Sequence, residues 1–149
     1  MVIRDIMTRT VVTAAPHTPV RDVAEVMRER NVGGVVLCAE DGAPVGFITD
    51  RDVAVMVVAG GRDPAGAASD HASTPVVTGE PDMDLREAAT LMARFGIRRL
   101  PVLEDGRLSG IVTLDDIAVR TADPELQSQL TTTITRSALP EFYFHQRGG

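Results

Sequence analysis

A duplicated α/β unit, an α+β arrangement of short strands and helices, is the fold this 149-residue sequence predicts, on three observations. The stretch Gly46-Phe47-Ile48-Thr49-Asp50-Arg51-Asp52 returns 64 positions later as Gly110-Ile111-Val112-Thr113-Leu114-Asp115-Asp116. Each copy reads as an apolar strand running into a helix, with Thr at the junction and Asp three residues beyond it. The elements upstream of the two copies recur in the same order, their register matching within one residue and the offset falling at a hairpin turn, where length changes are tolerated best.

In chain order, Val2–Thr8 suits a helical turn or lead-in segment, and Val11-Val12-Thr13 a short strand. Thr18 is placed as N-cap with Pro19 at the first helical position, and Val20, Val23, Ala24 and Met27 then repeat at helical spacing against a charged opposite face. A buried strand over 32–38, a turn at Glu40-Asp41-Gly42 and a strand over 44–49 lead into a helix from Asp50 to about Ala59. The Gly/Pro-rich run from Gly60 to Gly66 breaks the chain. The second half repeats the plan: a strand at Val76-Val77-Thr78, a helix carrying Leu85, Ala88, Ala89, Met92 and Phe95, strands over 98–103 and 108–113, and a helix from Leu114. The expected organisation is repeat 1 over 1–60, a linker over 61–68, repeat 2 over 69–122 and a tail over 123–149. Each repeat of about 55 residues is hard pressed to bury a sufficient core alone, so the two are expected to share one interface.

Composition narrows the chemistry. A hydrophobic content of 44%, with no apolar run of membrane-spanning length and no leader pattern at Met1, predicts a soluble cytoplasmic protein. Net charge −6 leaves no global basic field for nucleic acid. All fifteen basic residues are Arg, which excludes a Schiff-base lysine and a Walker-type phosphate loop. Lone Cys38, in an apolar run, reads as a packed thiol. His17, His71 and His145 show no metal-ligand spacing, no nucleophile elbow is present, and the neighbouring aspartates at each helix start point in different directions. No catalytic residue, metal or required cofactor is expected.

The Thr-x-x-Asp junctions admit two readings. In one, Thr49 with Asp52 and Thr113 with Asp116 form capping boxes that serve only helix stability. In the other, a hydroxyl, backbone N–H groups and a carboxylate at a helix start receive a ligand such as a sugar phosphate. Two copies of strand–helix–strand–strand–helix, each ending in Gly-x-(Ile/Val)-Thr-x-x-Asp, with Arg98-Arg99-Leu100-Pro101-Val102 on the second middle strand and Asp5-Ile6-Met7-Thr8 at the head, resemble a tandem CBS-domain pair, or Bateman module, of the stand-alone bacterial kind, over roughly residues 1–120.

The resemblance implies two β-α-β-β-α repeats packed about a pseudo-twofold axis through their small sheets, with clefts that hold an adenosyl ligand: AMP, ADP, ATP, NAD or S-adenosylmethionine. It implies regulation rather than catalysis, a homodimer, and a protein target that reads the bound state. Thr49 and Thr113 would contact ribose or phosphate, and Asp52 and Asp116 would accept from the ribose hydroxyls. Candidate phosphate cations are Arg51, Arg98 and Arg99; Arg98 and Arg99 also fit solvated strand-end charges. The adenine would lie near Val12-Thr13-Ala14 or Val77-Thr78-Gly79. The repeats differ: Gly33-Gly34 stands where the second has Arg98-Arg99, and Arg51 where it has Asp115, so the two sites should differ in ligand affinity. The competing expectation is a ligand-independent scaffold recognised through Phe142-Tyr143-Phe144; a nucleotide hydrolase ranks last.

Overall fold

The computed structural model describes residues 1–134, and these fall into two compact units that do not follow the sequence repeats. One contains Arg9–Thr78 with Leu103–Gly110; the other contains Met1–Thr8, Gly79–Val102 and the chain from Ile111 onward.

In the first of these, β1 (Thr13–Ala14), α1 (Val20–Arg30), β2 (Gly34–Cys38) and β3 (Pro44–Thr49) make a sheet of order β1-β2-β3. β1 runs parallel to β2, with Thr13 opposite Val36, and β2 antiparallel to β3, with Gly34 opposite Thr49. Val23 and Met27 of α1 pack on Val35, Leu37, Ile48 and Ala68, and Val12, Ala14, Val32, Val53 and Ala72 close the margin. α1 begins one residue later than the Thr18 cap predicts: Pro19 is the N-cap, and Asp22 and Val23 donate to its carbonyl. The amides of Val20 and Arg21, orphans at any helix start, donate to the carbonyls of Gly66 (3.0 Å) and Pro64 (2.9 Å), so the Gly/Pro-rich connection does the work expected of the Thr18 hydroxyl. Beyond β3, α2 makes one α-turn (Asp50–Asp52) and continues as a π-helix (Val53–Val58). That winding buries Val57 and leaves Val55, Met56 and Val58 exposed.

The other unit holds α3 (Leu85–Phe95), α4 (Leu114–Arg120) and a helix α5 over residues 124–134. The strands β4 (Arg99–Glu104) and β5 (Arg107–Thr113) form a two-stranded sheet whose turn belongs to the first unit. Its core comprises Ile3, Ile6, Leu85, Ala88, Met92, Leu100, Val102, Val112, Ile117, Leu126 and Leu130, all buried. Phe95, expected on the apolar face of α3, is 51% exposed with the Arg94 guanidinium 5.6 Å from its ring centroid. The first eleven tail residues after Asp123 are helical, because Asp123 caps them by accepting from Glu125 N and Leu126 N, and the Thr131, Thr132 and Thr133 hydroxyls bond back to carbonyls four residues earlier. Phe142-Tyr143-Phe144 lies outside the described residues.

The expected strand Val76–Thr78 does not form; only a parallel bridge between Gly79 and Val102 is made. In the first repeat Val36 N donates to Val12 O at 3.2 Å. Pro101 occupies the position of Val36 and has no N–H, so the ladder cannot extend back to Val77. Gly79 itself is required by close approach, since a Cβ there would lie 2.9 Å from Leu100 Cδ2 and 3.0 Å from Ile3 Cδ1.

The mismatch between units and repeats has a specific cause: the lead-in segments are exchanged. The 3-10 turn Ile3–Asp5, from the head of repeat 1, bonds to repeat 2 through Ile3 N to Met83 O and Arg4 N to Pro81 O. Its counterpart Ala68–Asp70, at the head of repeat 2, bonds to repeat 1 through Ala68 N to Thr18 O and Ser69 N to Pro16 O. Thr8 then bridges Ile111 while Ser73 bridges Phe47, each pair exchanging both amide bonds.

Ile3→Ala, in a lead-in segment, and Leu130→Ala, in the tail helix, are expected to cost about 2–5 kcal/mol each in urea unfolding, the range for buried aliphatic truncation. Acid sensitivity has a local source as well. The Asp123 carboxyl is held below its usual value by the Leu126 amide and then by Arg86, and Asp82 by Arg4. A depressed carboxylate contributes stability above its unfolded-state value and loses it as pH falls through that range. The stability difference between wild type and Asp123→Asn should therefore shrink as pH is lowered from 6 towards 3 (about one unit below the ordinary carboxylate range), read by urea midpoint.

Candidate functional site

At both strand-to-helix junctions the chain leaves an extended strand and turns at a Thr. Thr49 (φ −109°, ψ 163°) and Thr113 (φ −111°, ψ 160°) have nearly the same backbone. Thr49 Oγ1 accepts from Asp52 N at 3.1 Å, and Asp52 Oδ2 accepts from Thr49 N at 2.8 Å. In the second copy Thr113 Oγ1 accepts from Asp116 N at 3.0 Å, while Asp116 Oδ2 accepts from Thr113 N at 3.0 Å and from the Thr113 hydroxyl at 2.8 Å. Both are complete capping boxes. The first helical amide is satisfied alike in each, Asp50 N by Gly33 O and Leu114 N by Arg98 O, both at 3.0 Å.

This arrangement leaves chemistry in reserve. The box occupies one oxygen of each carboxylate, and Oδ1 of Asp52 and of Asp116 accepts nothing from the described residues. All four side chains are half-buried. An ionised carboxylate has about four lone-pair sites, so one oxygen can fix the helix start while the other accepts from vicinal hydroxyls. The motif glycine serves this geometry too: a Cβ at Gly46 would lie 3.1 Å from Ala72 Cβ, in the exchanged lead-in that pads β3.

The cation candidates are placed differently. Arg51 is exposed, at the second helical position. Arg98 precedes β4, and its guanidinium reaches Asp115 Oδ1 at 3.3 Å with both side chains largely exposed. Arg99 opens β4 and is half-buried. The Arg98–Asp115 pair was not anticipated, yet its signal was in the sequence: relative to the first repeat, Gly33 and Arg51 are replaced by Arg98 and Asp115, two complementary changes at positions the fold brings together. Of the adenine-wall candidates, Val12 packs against the core, Thr13 and Ala14 lie on β1, and Val77 and Thr78 are half-buried in irregular chain. Thr13 and Ala14 also line a cavity that does not include Thr49 or Asp52.

Other chemistry is sparse. Among the described residues no three His, Cys, Asp or Glu side chains are placed to hold a metal ion, and no helix is long and apolar enough to cross a membrane. Burial, and secondarily Asp41, push the Cys38 thiol up, away from the reactive thiolate.

Comparison with known proteins adds the family context. The CBS domain family model matches residues 3–58 and 68–122. The CBS domain-containing protein YhcV of Bacillus subtilis is 38% identical over 133 residues, covering 89% of this chain and 94% of its own length. The crystal structure of Hypoxic Response Protein I with two coordinated zinc ions superposes with TM-score 0.75 at 32% identity, covering 81% of this chain and 99% of that one. A CBS domain protein from Pyrobaculum aerophilum, complexed with AMP, matches with TM-score 0.75 at 27% identity over 89% of this chain and 99% of that one.

Thr49→Ala and Thr113→Ala, each removing the hydroxyl that receives the third helical amide, are expected to cost about 0.5–2 kcal/mol apiece in urea unfolding. Serine at either position should restore most of the loss.

Proposed function

Because this chain belongs to the CBS-domain family and carries two of its domains, we propose that it is a cytoplasmic regulatory module that binds an adenosyl ligand of the AMP, ADP or ATP class and signals occupancy through a change in conformation or partner binding. The observation that carries this is the matched pair of Thr-Asp junctions, each keeping one carboxylate oxygen for a ligand. The AMP complex of the Pyrobaculum protein supports it. Asp52 and Asp116 accept from ribose hydroxyls, Thr49 and Thr113 contact ribose or phosphate, and Arg51, Arg98 and Arg99 supply positive charge. Val12, Thr13, Ala14, Val77 and Thr78 offer the apolar wall for adenine. Repeat 2 gives up part of its charge to the Arg98–Asp115 pair, so the two junctions discriminate between ligands carrying different numbers of phosphates. The working form is a homodimer, and the output is read by a protein target. A ligand shifts such a module only as far as its affinities for the two conformations differ.

A second reading has its own support: both capping boxes are complete without a ligand, as in a ligand-independent scaffold. Thermal unfolding of nucleotide-stripped protein with AMP, ADP, ATP, NAD and S-adenosylmethionine separates the two. A ligand at about 100 times its dissociation constant contributes roughly 2.7 kcal/mol, a shift of about 5–10 °C at this size. The regulatory reading expects such a shift for at least one ligand, abolished by Asp52→Asn or Asp116→Asn, both of which keep an acceptor for the cap. No shift with any of the five leaves the scaffold.

A further inference from the structure

Towards the end of β3 away from Thr49 and Asp52, and reaching back along β1 to Thr13 and Ala14, lies an open cavity of about 970 Å³. It is built wholly within one unit. The turn joining β2 to β3 contributes Glu40, Asp41 and Gly42, the start of β5 contributes Arg107, and the chain flanking β1 contributes Arg9 and His17. Leu108 N donates to Gly42 O at 3.1 Å, tying the two hairpin turns together.

We propose that this cavity is a second binding site, for a small multivalent oxyanion of the phosphate-ester or polycarboxylate type, gripped by Arg9 and Arg107. The case begins with what the two guanidiniums do not do. In the other unit, Arg4, Arg86 and Arg98 are each drawn onto a carboxylate, Asp82, Asp123 and Asp115. Here Glu40 and Asp41 line the same cavity, yet the side chains of Arg9 and Arg107 make no hydrogen bond or ion pair with any described residue. Asp41 is committed elsewhere, its Oδ1 accepting from Ala43 N at 3.0 Å to close the turn.

The backbone, not an ion pair, sets where Arg107 stands. Its Cγ, Cβ and Cδ lie 3.6, 3.8 and 3.9 Å from the point a Cβ on Gly42 would occupy, so its stem rests on the turn at the margin of the cavity it lines. The two guanidiniums share the lining with Glu40 and Asp41 but are paired with neither, so their donors stand available to an anion. A guanidinium's planar donors match a phosphate or carboxylate edge in bidentate fashion, which a second Arg doubles. The exposed His17 imidazole is a further donor within the lining.

The test is direct titration of the full chain at low salt with pyrophosphate and with citrate, by calorimetry at millimolar ligand. Saturable binding of at least one is expected; pyrophosphate alone identifies a phosphate site and citrate alone a carboxylate site. Arg9→Gln and Arg107→Gln should each weaken it at least about tenfold, the scale of one lost charge-assisted hydrogen bond, at unchanged urea midpoint. Glu40→Gln should tighten binding by removing a like charge, a gain that misfolding cannot produce. No saturable binding to wild type, unchanged affinity in both Arg variants, or weakening by Glu40→Gln overturns the proposal. Asp116→Asn leaves the anion titration intact, so failure of the adenosyl reading and failure of this one are told apart.

Discussion

The reciprocal exchange of lead-in segments is the constraint on which the rest of this molecule depends. Ile3 is fully buried among residues of repeat 2, and Ala68 fully buried among residues of repeat 1. Matched pairs of backbone hydrogen bonds hold the two 3-10 turns, and the segments that follow them pad the middle of β3 and β5. A repeat of about 55 residues is marginal in the surface it can bury alone. Borrowing a turn and an edge from the other copy adds buried core to each repeat and couples the stability of one to the other.

The junctions inherit their precision from this padding. The Thr that ends each of β3 and β5 is held by hydrogen bonds from both directions: its amide to the Asp carboxylate, its hydroxyl from the Asp amide. A single carboxylate so placed has one oxygen spent on structure and one in reserve. Capping therefore does not compete with the ligand binding proposed for the same group.

Much of this was legible in the amino-acid sequence because periodicity and repetition are. Matching Gly46–Asp52 with Gly110–Asp116 located both junctions, and the 3.6-residue spacing located α1 and α3. What escaped depends on partners distant in the chain. The carbonyls of Pro64 and Gly66 outcompete the Thr18 hydroxyl at the start of α1. The α5 helix, capped by Asp123 and pinned through Leu126 and Leu130, was hidden because serine, glutamine and four consecutive Thr-Ile residues read as irregular chain. Phe95 had the spacing of a core residue but is the last residue of α3, beyond the buried Leu85, Ala88, Ala89 and Met92. The exchange itself has no sequence signature, since either pairing of lead-ins satisfies the same pattern.

Pro101 has a consequence outside binding. A two-stranded sheet offers two open edges, and an open edge with a run of free donors is a template for another chain. By withholding the amide that Val36 supplies in the first repeat, Pro101 interrupts the row of donors along the outer edge of β4, and Gly79 takes the single rung that remains. The feature that costs the second repeat a strand thus protects it from edge-to-edge aggregation, a safeguard of use to a chain whose folding requires two segments to find the opposite repeat before either core is closed.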